Sequence, residues 1–94
     1  KFTTEVYHLQ DGCFYNNKIY YLVDSNTGRN HYNTFAVLEI NPSSKSITNI
    51  YNIELPRYYE AENIAVVPEN KPYLIMSYWD GFNTAHYYKK YLDY

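Results

Sequence analysis

Short runs of apolar residues, each ended by a polar turn, follow one another along the whole chain of 94 residues. Some runs alternate apolar and polar positions, as at Tyr51, Ile53 and Leu55, and this is typical of a strand with one buried face. Others, such as 19–23 and 34–40, are apolar on both faces and fit strands inside a packed sheet. No stretch has a clear helical period, so the pattern predicts an all-β protein.

The pattern of strands is also repeated within the chain. Residues 6–10 (Val-Tyr-His-Leu-Gln) match residues 50–54 (Ile-Tyr-Asn-Ile-Glu) position by position. After each match come an acidic break, a short strand, a tight turn and a buried strand. A repeat of about forty residues with four short strands per unit is typical of β-propeller blades. We therefore predict antiparallel four-stranded blades, about two of them.

This interpretation divides a single propeller-like domain, residues 1–94, into three parts. Residues 3–10 form the outer strand of a preceding blade and end at a break at Asp11-Gly12. Residues 11–55 form one blade, and residues 56–94 form most of the next.

Two blades are too few for a closed ring, because a propeller needs at least four. We therefore expect either a fragment of a longer chain, which a first residue other than Met also suggests, or an oligomer. In the oligomer, identical chains would complete each other's sheets, with strand 3–10 of one chain beside the last strand of another. The alternative fold is a free-standing β-sandwich or meander of seven or eight strands.

Composition supports the all-β prediction and excludes several functions. Fourteen tyrosines accompany many β-branched residues, and both types suit a pleated surface. A net charge of −2 with eight Lys and Arg residues gives no basic surface for nucleic acid. No apolar run approaches the ~20 residues that a membrane helix needs. The single cysteine, Cys13, excludes an internal disulfide, and its apolar strand predicts an inert, packed thiol.

Blade geometry predicts which end of the molecule carries a binding site. The hairpin turns at 16–18, 42–45 and 68–71 are short and fall at one end. The longer connections, rich in aromatic and acidic residues, fall at the other, and such loops commonly carry function. The predicted ligand-binding residues at that end are Tyr59, Glu60, Glu62, Trp79, Asp80, His31 and Asp11, with Asp11 and Glu62 at equivalent positions of the repeat.

These residue types allow several roles. Glu60 and Glu62 occupy alternate positions, so their side chains are predicted to share one side. Paired carboxylates can divide acid and base roles, hold Ca²⁺, accept hydrogen bonds from loop amides or ligands, or remain solvated. The Trp79 side chain can pack between blades or stack on a sugar ring. No cofactor is expected, and the spacing of the histidines and Cys13 does not predict a metal site.

One segment resembles a known family. Glu60-Ala61-Glu62-Asn63-Ile64, between a strand and an apolar hairpin, resembles the Glu-Pro-Glu-Gly-Ile signature of certain propellers. These propellers occur in phage tail receptor-binding proteins and in related teichoic-acid-biosynthesis-C-like proteins of Gram-positive bacteria. Ala61 and Asn63 replace the Pro and Gly of that signature. The likeness spans residues 5–80, and its other motifs are Asp11-Gly12, Lys18-Ile19-Tyr20-Tyr21 and Leu38-Glu39-Ile40-Asn41-Pro42.

The resemblance implies a five- or six-bladed propeller, extracellular or on a virion, that engages a cell-surface glycan or glycopolymer. The first hypothesis is therefore a non-catalytic carbohydrate-binding module. A second is a glycosidase-like enzyme that uses Asp11, Glu60 and Glu62. A third is an assembly module without a ligand, whose sheet edges pair with other blades or with identical chains.

Overall fold

The computed structural model describes residues 7–25 and 31–93. They form seven strands and no helix, so these ranges hold no helix that could cross a membrane. The strands are β1 (Tyr7–Tyr15), β2 (Lys18–Ser25), β3 (Tyr32–Asn41), β4 (Ser46–Pro56), β5 (Glu60–Val67), β6 (Tyr73–Trp79) and β7 (Ala85–Tyr91).

The strands make two antiparallel sheets in chain order. The first sheet has the order β1-β2-β3-β4 and the second β5-β6-β7. The prediction of an all-β fold with antiparallel sheets is confirmed for the described residues. The two sheets form a pair and do not close into a ring.

Asparagine residues determine the conformation of two of the predicted turns. Asn16 and Asn17 have φ values of 51° and 61°, which is the positive region that a two-residue hairpin turn needs. In the β3–β4 turn the side chain of Asn41 accepts hydrogen bonds from the amides of Ser43 and Ser44 at 3.0 and 3.2 Å. Both turns therefore form where the sequence predicted them.

The predicted break at Asp11-Gly12 is wrong, because β1 runs through it. Between Leu9 and Asp11 the pairing with β2 shifts by one residue, which is a β-bulge. A bulge absorbs an extra residue without ending the strand. Residues 7–10 therefore belong to the first sheet and not to the outer strand of a preceding blade, while residues 3–6 lie outside the described ranges.

The second sheet has a matching bulge in its own first strand. There the pairing with β6 shifts between Ala61 and Asn63, so Glu62 is the extra residue. When the two bulges are aligned, Asp11 corresponds to Asn63. The sequence predicted that Asp11 corresponds to Glu62, which is one residue earlier. The first strands of the two sheets thus share a bulge, but the predicted match of residues 6–10 with 50–54 is wrong, because residues 7–10 lie in β1 and residues 50–54 lie in β4 of the same sheet.

The core lies between the two sheets. The first sheet contributes Tyr20, Leu22 and Phe35, all fully buried, and the second contributes Met76 and Tyr78. The rings of Phe35 and Tyr78 meet edge to face with centroids 5.0 Å apart. Full burial of such a side chain is worth about 1.5–3 kcal/mol. The radius of gyration, 13.3 Å, is close to the ~12 Å of a compact chain of this length.

The two sheets use opposite faces for this core. Tyr20 and Leu22 face it from β2, whereas the residues that the bulges align with them, Ile75 and Ser77, lie on the outer face of β6. A sandwich of two sheets related by a two-fold axis would bury equivalent faces. These sheets are stacked in the same orientation instead, so the face that one sheet buries in the core corresponds to the face that the other sheet turns away from it.

Gly12 lies under an aromatic ring. A Cβ at Gly12 would lie 2.7 Å from a ring carbon of Tyr21, and its φ is not in the left-handed region. We therefore expect Gly12→Val to cost about 1–3 kcal/mol through displacement of the ring and not through backbone strain. Urea unfolding checks this, and the penalty should shrink in a Tyr21→Ala background. An equal penalty in both backgrounds would contradict the steric explanation.

Candidate functional site

Four rings gather at the end of the molecule where β5 begins and β6 ends. Tyr58, Tyr59, Phe82 and His86 form this aromatic cluster, with ring centroids 5.4 Å apart for Tyr58–Tyr59 and 5.3 Å for both Tyr58–Phe82 and Tyr59–His86. Tyr58 is 53% exposed and Phe82 is 72% exposed. The cluster therefore presents aromatic surface to solvent from two neighbouring segments.

Glycine allows the two segments to approach each other. Gly81 has a φ of +85°, and a Cβ on it would lie 3.0 Å from the carbonyl oxygen of Tyr58. Both conditions disfavour any other residue at this position. On the other side of Tyr58, the Arg57 amide donates to the carbonyl oxygen of His31 at 2.9 Å. The segment that carries Tyr58 is thus held by main-chain contacts.

Asp80 organises the loop between β6 and β7. Its Oδ1 accepts hydrogen bonds from the amides of Phe82 at 2.9 Å and Thr84 at 3.4 Å, and its Oδ2 lies 3.2 Å from His86 Nε2. The Phe82 bond is the main reason that the pKa of Asp80 is lowered, and His86 and the Thr84 bond act in the same direction against partial desolvation. Asp80 therefore accepts hydrogen bonds from the amides of its own loop.

The lowered pKa makes the loop sensitive to acid. A carboxyl group whose pKa is lower in the folded state stabilises that state above its unfolded pKa and loses the effect as pH falls through the folded value. We expect the Phe82 and Thr84 amide NMR signals to move together in a transition below 3.8, the ordinary pKa of an Asp carboxyl group. Asp80→Asn should remove the transition. The same acid transition in the Asp80→Asn variant would contradict the assignment.

Glu60 and Trp79 are neighbours across the β5–β6 pair. Trp79 is 38% exposed and Glu60 is exposed, so an indole ring and a carboxylate border the same surface. Glu62 is also exposed but occupies the bulge, so the simple alternation predicted for Glu60 and Glu62 is interrupted between them. Buried Ala61 separates the two acids.

The two remaining predicted residues make contacts to the main chain. His31 is exposed, with a φ of 74°, and its carbonyl holds the segment before Tyr58. Asp11 Oδ2 accepts a hydrogen bond from the Ile64 amide at 2.9 Å, which joins the first strands of the two sheets. Asp11 and Glu62 therefore lie at the same end of the molecule, but this oxygen of Asp11 serves the contact between sheets.

Sequence reasoning placed Tyr58 and Phe82 at the binding end of the molecule but did not choose them, or His86, as ligand-binding residues. His86 was considered only as a zinc ligand, and its contact with Asp80 depends on the length of the loop that separates them. A signal was present, because Asp-Gly at 80–81 favours a turn whose amides bond the Asp side chain. Such a turn brings the residues on both of its sides together.

Neither metal chemistry nor thiol chemistry has support in the described ranges. Residues 7–25 and 31–93 contain no group of three or more His, Cys, Asp or Glu side chains that could hold a metal ion. Burial, with a smaller contribution from the Asp11 carboxylate, raises the pKa of Cys13 to about 11. The thiol is therefore protonated at neutral pH, in agreement with the prediction that it is inert.

A cleft of about 300 Å³ lies between the sheets at the opposite end. The salt bridge between Lys18 and Glu39, 3.6 Å long, forms one wall, and the Tyr20 hydroxyl donates to Glu39 at 3.0 Å. The sequence predicted only short hairpin turns at this end of the molecule. The lining residues come from both sheets: Lys18, Glu39, Ile50, Lys90, Tyr91, Leu92 and Asp93.

Comparisons of the chain with protein families, curated proteins and solved structures found no match.

Proposed function

We propose that the chain is a non-catalytic binding module for a cell-surface glycan or glycopolymer, and that the aromatic cluster with its neighbouring carboxylates is the binding surface. The observation that carries the proposal is the exposure of Tyr58, Phe82 and Trp79 at the end where Glu60 and Glu62 also face solvent. Aromatic rings stack on the apolar faces of sugars, and carboxylates accept hydrogen bonds from their hydroxyls.

The rigidity of the surface supports this proposal. Asp80 fixes the amides around Phe82, and main-chain contacts fix the segment before Tyr58. A site that is formed before binding loses less conformational entropy when the ligand arrives. Phage tail proteins and bacterial surface proteins, which the sequence resembles, are the contexts that we propose.

We further propose that the two sheets are neighbouring propeller blades. Like blades, they run in chain order, touch through their first strands and stack in one orientation. The uncovered faces would then pack on other blades, from a longer chain or from identical chains.

Exposed apolar residues favour an assembly role as a second candidate. Phe14 is 65% exposed and Ile47 is 43% exposed on the outer face of the first sheet, while Tyr87 and Tyr91 are more than half exposed on the second. Patches of this kind commonly mark protein contacts. The enzyme hypothesis gains no comparable support, because an Asp11 oxygen already bonds the Ile64 amide.

NMR titration of the labelled chain with teichoic acid and with surface polysaccharides tests the binding proposal. We expect shifts at Tyr58, Trp79 and Phe82, and Tyr58→Ala or Phe82→Ala should weaken binding at least about fivefold, as for central contact residues. Phe14→Ala, which removes an equally exposed ring elsewhere, is the matched control. Shifts confined to residues 42–45 and 68–71, or the same loss for Phe14→Ala, would contradict the site.

Sedimentation separates binding from assembly. Concentration-dependent association of the chain without any shift from a glycan would favour the assembly role. A monomer that binds glycan would favour the binding module.

A further inference from the structure

The last strand of the second sheet has a free edge. Among residues 7–25 and 31–93, β7 pairs with β6 alone, whereas its counterpart in the first sheet, β3, pairs on both sides. A free edge presents main-chain donors and acceptors on every second residue, and extended segments bind to such edges. The second sheet therefore has room for one more strand.

The surface beside this edge is incompletely covered. Tyr51 and Ile53 of β4 pack against the core but are only half-buried, and Ile50 lines the 300 Å³ cleft together with the end of β7. Since β4 is the fourth strand of its sheet, a fourth strand beside β7 would cover these side chains. The added segment would therefore gain apolar contacts on its inward side.

Charge indicates which segment fits. β7 has the sequence Ala-His-Tyr-Tyr-Lys-Lys-Tyr and contains no acidic residue. Lys89 is on the outer face, where its Nζ lies 4.3 Å from the centre of the Tyr73 ring, and Lys90 lines the cleft. Opposite charges on neighbouring strands stabilise their pairing, and like charges oppose it. A segment with carboxylates on its outward side is complementary to Lys89.

We propose that the edge of β7 binds an extended peptide segment with apolar side chains toward β4 and acidic side chains beside Lys89. The segment adds to the sheet as a fourth strand, and its main chain pairs with β7. This inference does not depend on the glycan proposal, because Lys89 and the cleft lie toward the end of β7 opposite to His86, the member of the aromatic cluster on this strand.

A peptide of seven alternating isoleucine and glutamate residues serves as the probe, with the labelled chain observed by NMR. We expect shifts in residues 85–91 and at Ile50, and slower hydrogen exchange on alternate amides of β7. Lys89→Gln should weaken binding about two- to fivefold, the size of one cross-strand charge pair. Lys71→Gln, in the exposed β5–β6 turn, should leave the affinity unchanged.

Methylated peptides test the mode of binding without altering the protein. A strand pairs with its neighbour through every second residue. N-methylation of one set of residues, the isoleucines or the glutamates, should therefore abolish binding, whereas N-methylation of the other set should leave binding intact. Equal binding of both methylated peptides would overturn the proposal, as would no binding at millimolar peptide. Self-association of the chain through β7 that the peptide does not displace would also overturn it, in favour of a second copy as the occupant.

Discussion

Tyr78→Ala should destabilise the protein by about 3–5 kcal/mol, the cost of emptying a large aromatic site in a packed core. Tyr78 is fully buried, and its ring meets those of Phe35 and Tyr88 at centroid distances of 5.0 and 5.4 Å. Because it bridges the two sheets, its loss should loosen both of them. Urea unfolding followed by circular dichroism measures the change.

Tyr78→Phe is the matched control, because it keeps the ring. The Tyr78 hydroxyl is buried and has no hydrogen-bond partner among the described residues, and this burial raises its pKa. Removing a buried hydroxyl that lacks a partner should leave stability unchanged or raise it by about 1 kcal/mol. A loss of more than about 1 kcal/mol for Tyr78→Phe would show that the hydroxyl is bonded, contrary to this packing.

Asp11→Ala should cost about 1.5–3 kcal/mol, because it leaves the Ile64 amide without the carboxylate that accepts its hydrogen bond. The bond joins residues that are 53 positions apart in the chain, so its loss weakens the contact between the sheets and not the strands themselves. The Ile64 amide should also exchange with solvent faster. Urea unfolding and hydrogen exchange measure the two effects.

Asp11→Asn separates the hydrogen bond from the space that the side chain fills. The amide oxygen of asparagine can still accept from Ile64, but without charge, so the loss should be smaller than for alanine. Glu69→Ala, which removes an exposed acid in the β5–β6 turn, should change stability by less than about 0.5 kcal/mol. Equal values for all three variants would contradict a specific role for Asp11.

The strands could be predicted because their signals are local. The alternation at Tyr51, Ile53 and Leu55 and the Asn16-Asn17 turn each depend on a few adjacent residues, and both appear in the structure. The bulges could not be predicted in the same way. A bulge adds one residue to one strand of a pair, so it becomes visible only when the partner strand is known. Asp11-Gly12 resembled a break for this reason.

Like the fold, the candidate site could be predicted where it depends on adjacent residues and not where it depends on contacts between distant ones. Tyr59, Glu60, Trp79 and Asp80 were predicted from an acidic and aromatic segment. The structure places Tyr59 in the aromatic cluster, Asp80 in contact with His86 of that cluster, and Glu60 beside Trp79. The bond from Asp11 to the second sheet and the cleft at the opposite end were not predicted. Both depend on how the two sheets pack, which is a contact between distant parts of the chain.

The stacking of the two sheets in one orientation is the claim on which the blade and site proposals depend. Nuclear Overhauser contacts in the labelled chain test it most directly. We predict contacts between Asp11 and the Ile64 amide and between the rings of Phe35 and Tyr78, which join β1 to β5 and β3 to β6. Contacts from Val23 or Ala36 to Ile75, which would bring the outer faces together, would contradict the stacking.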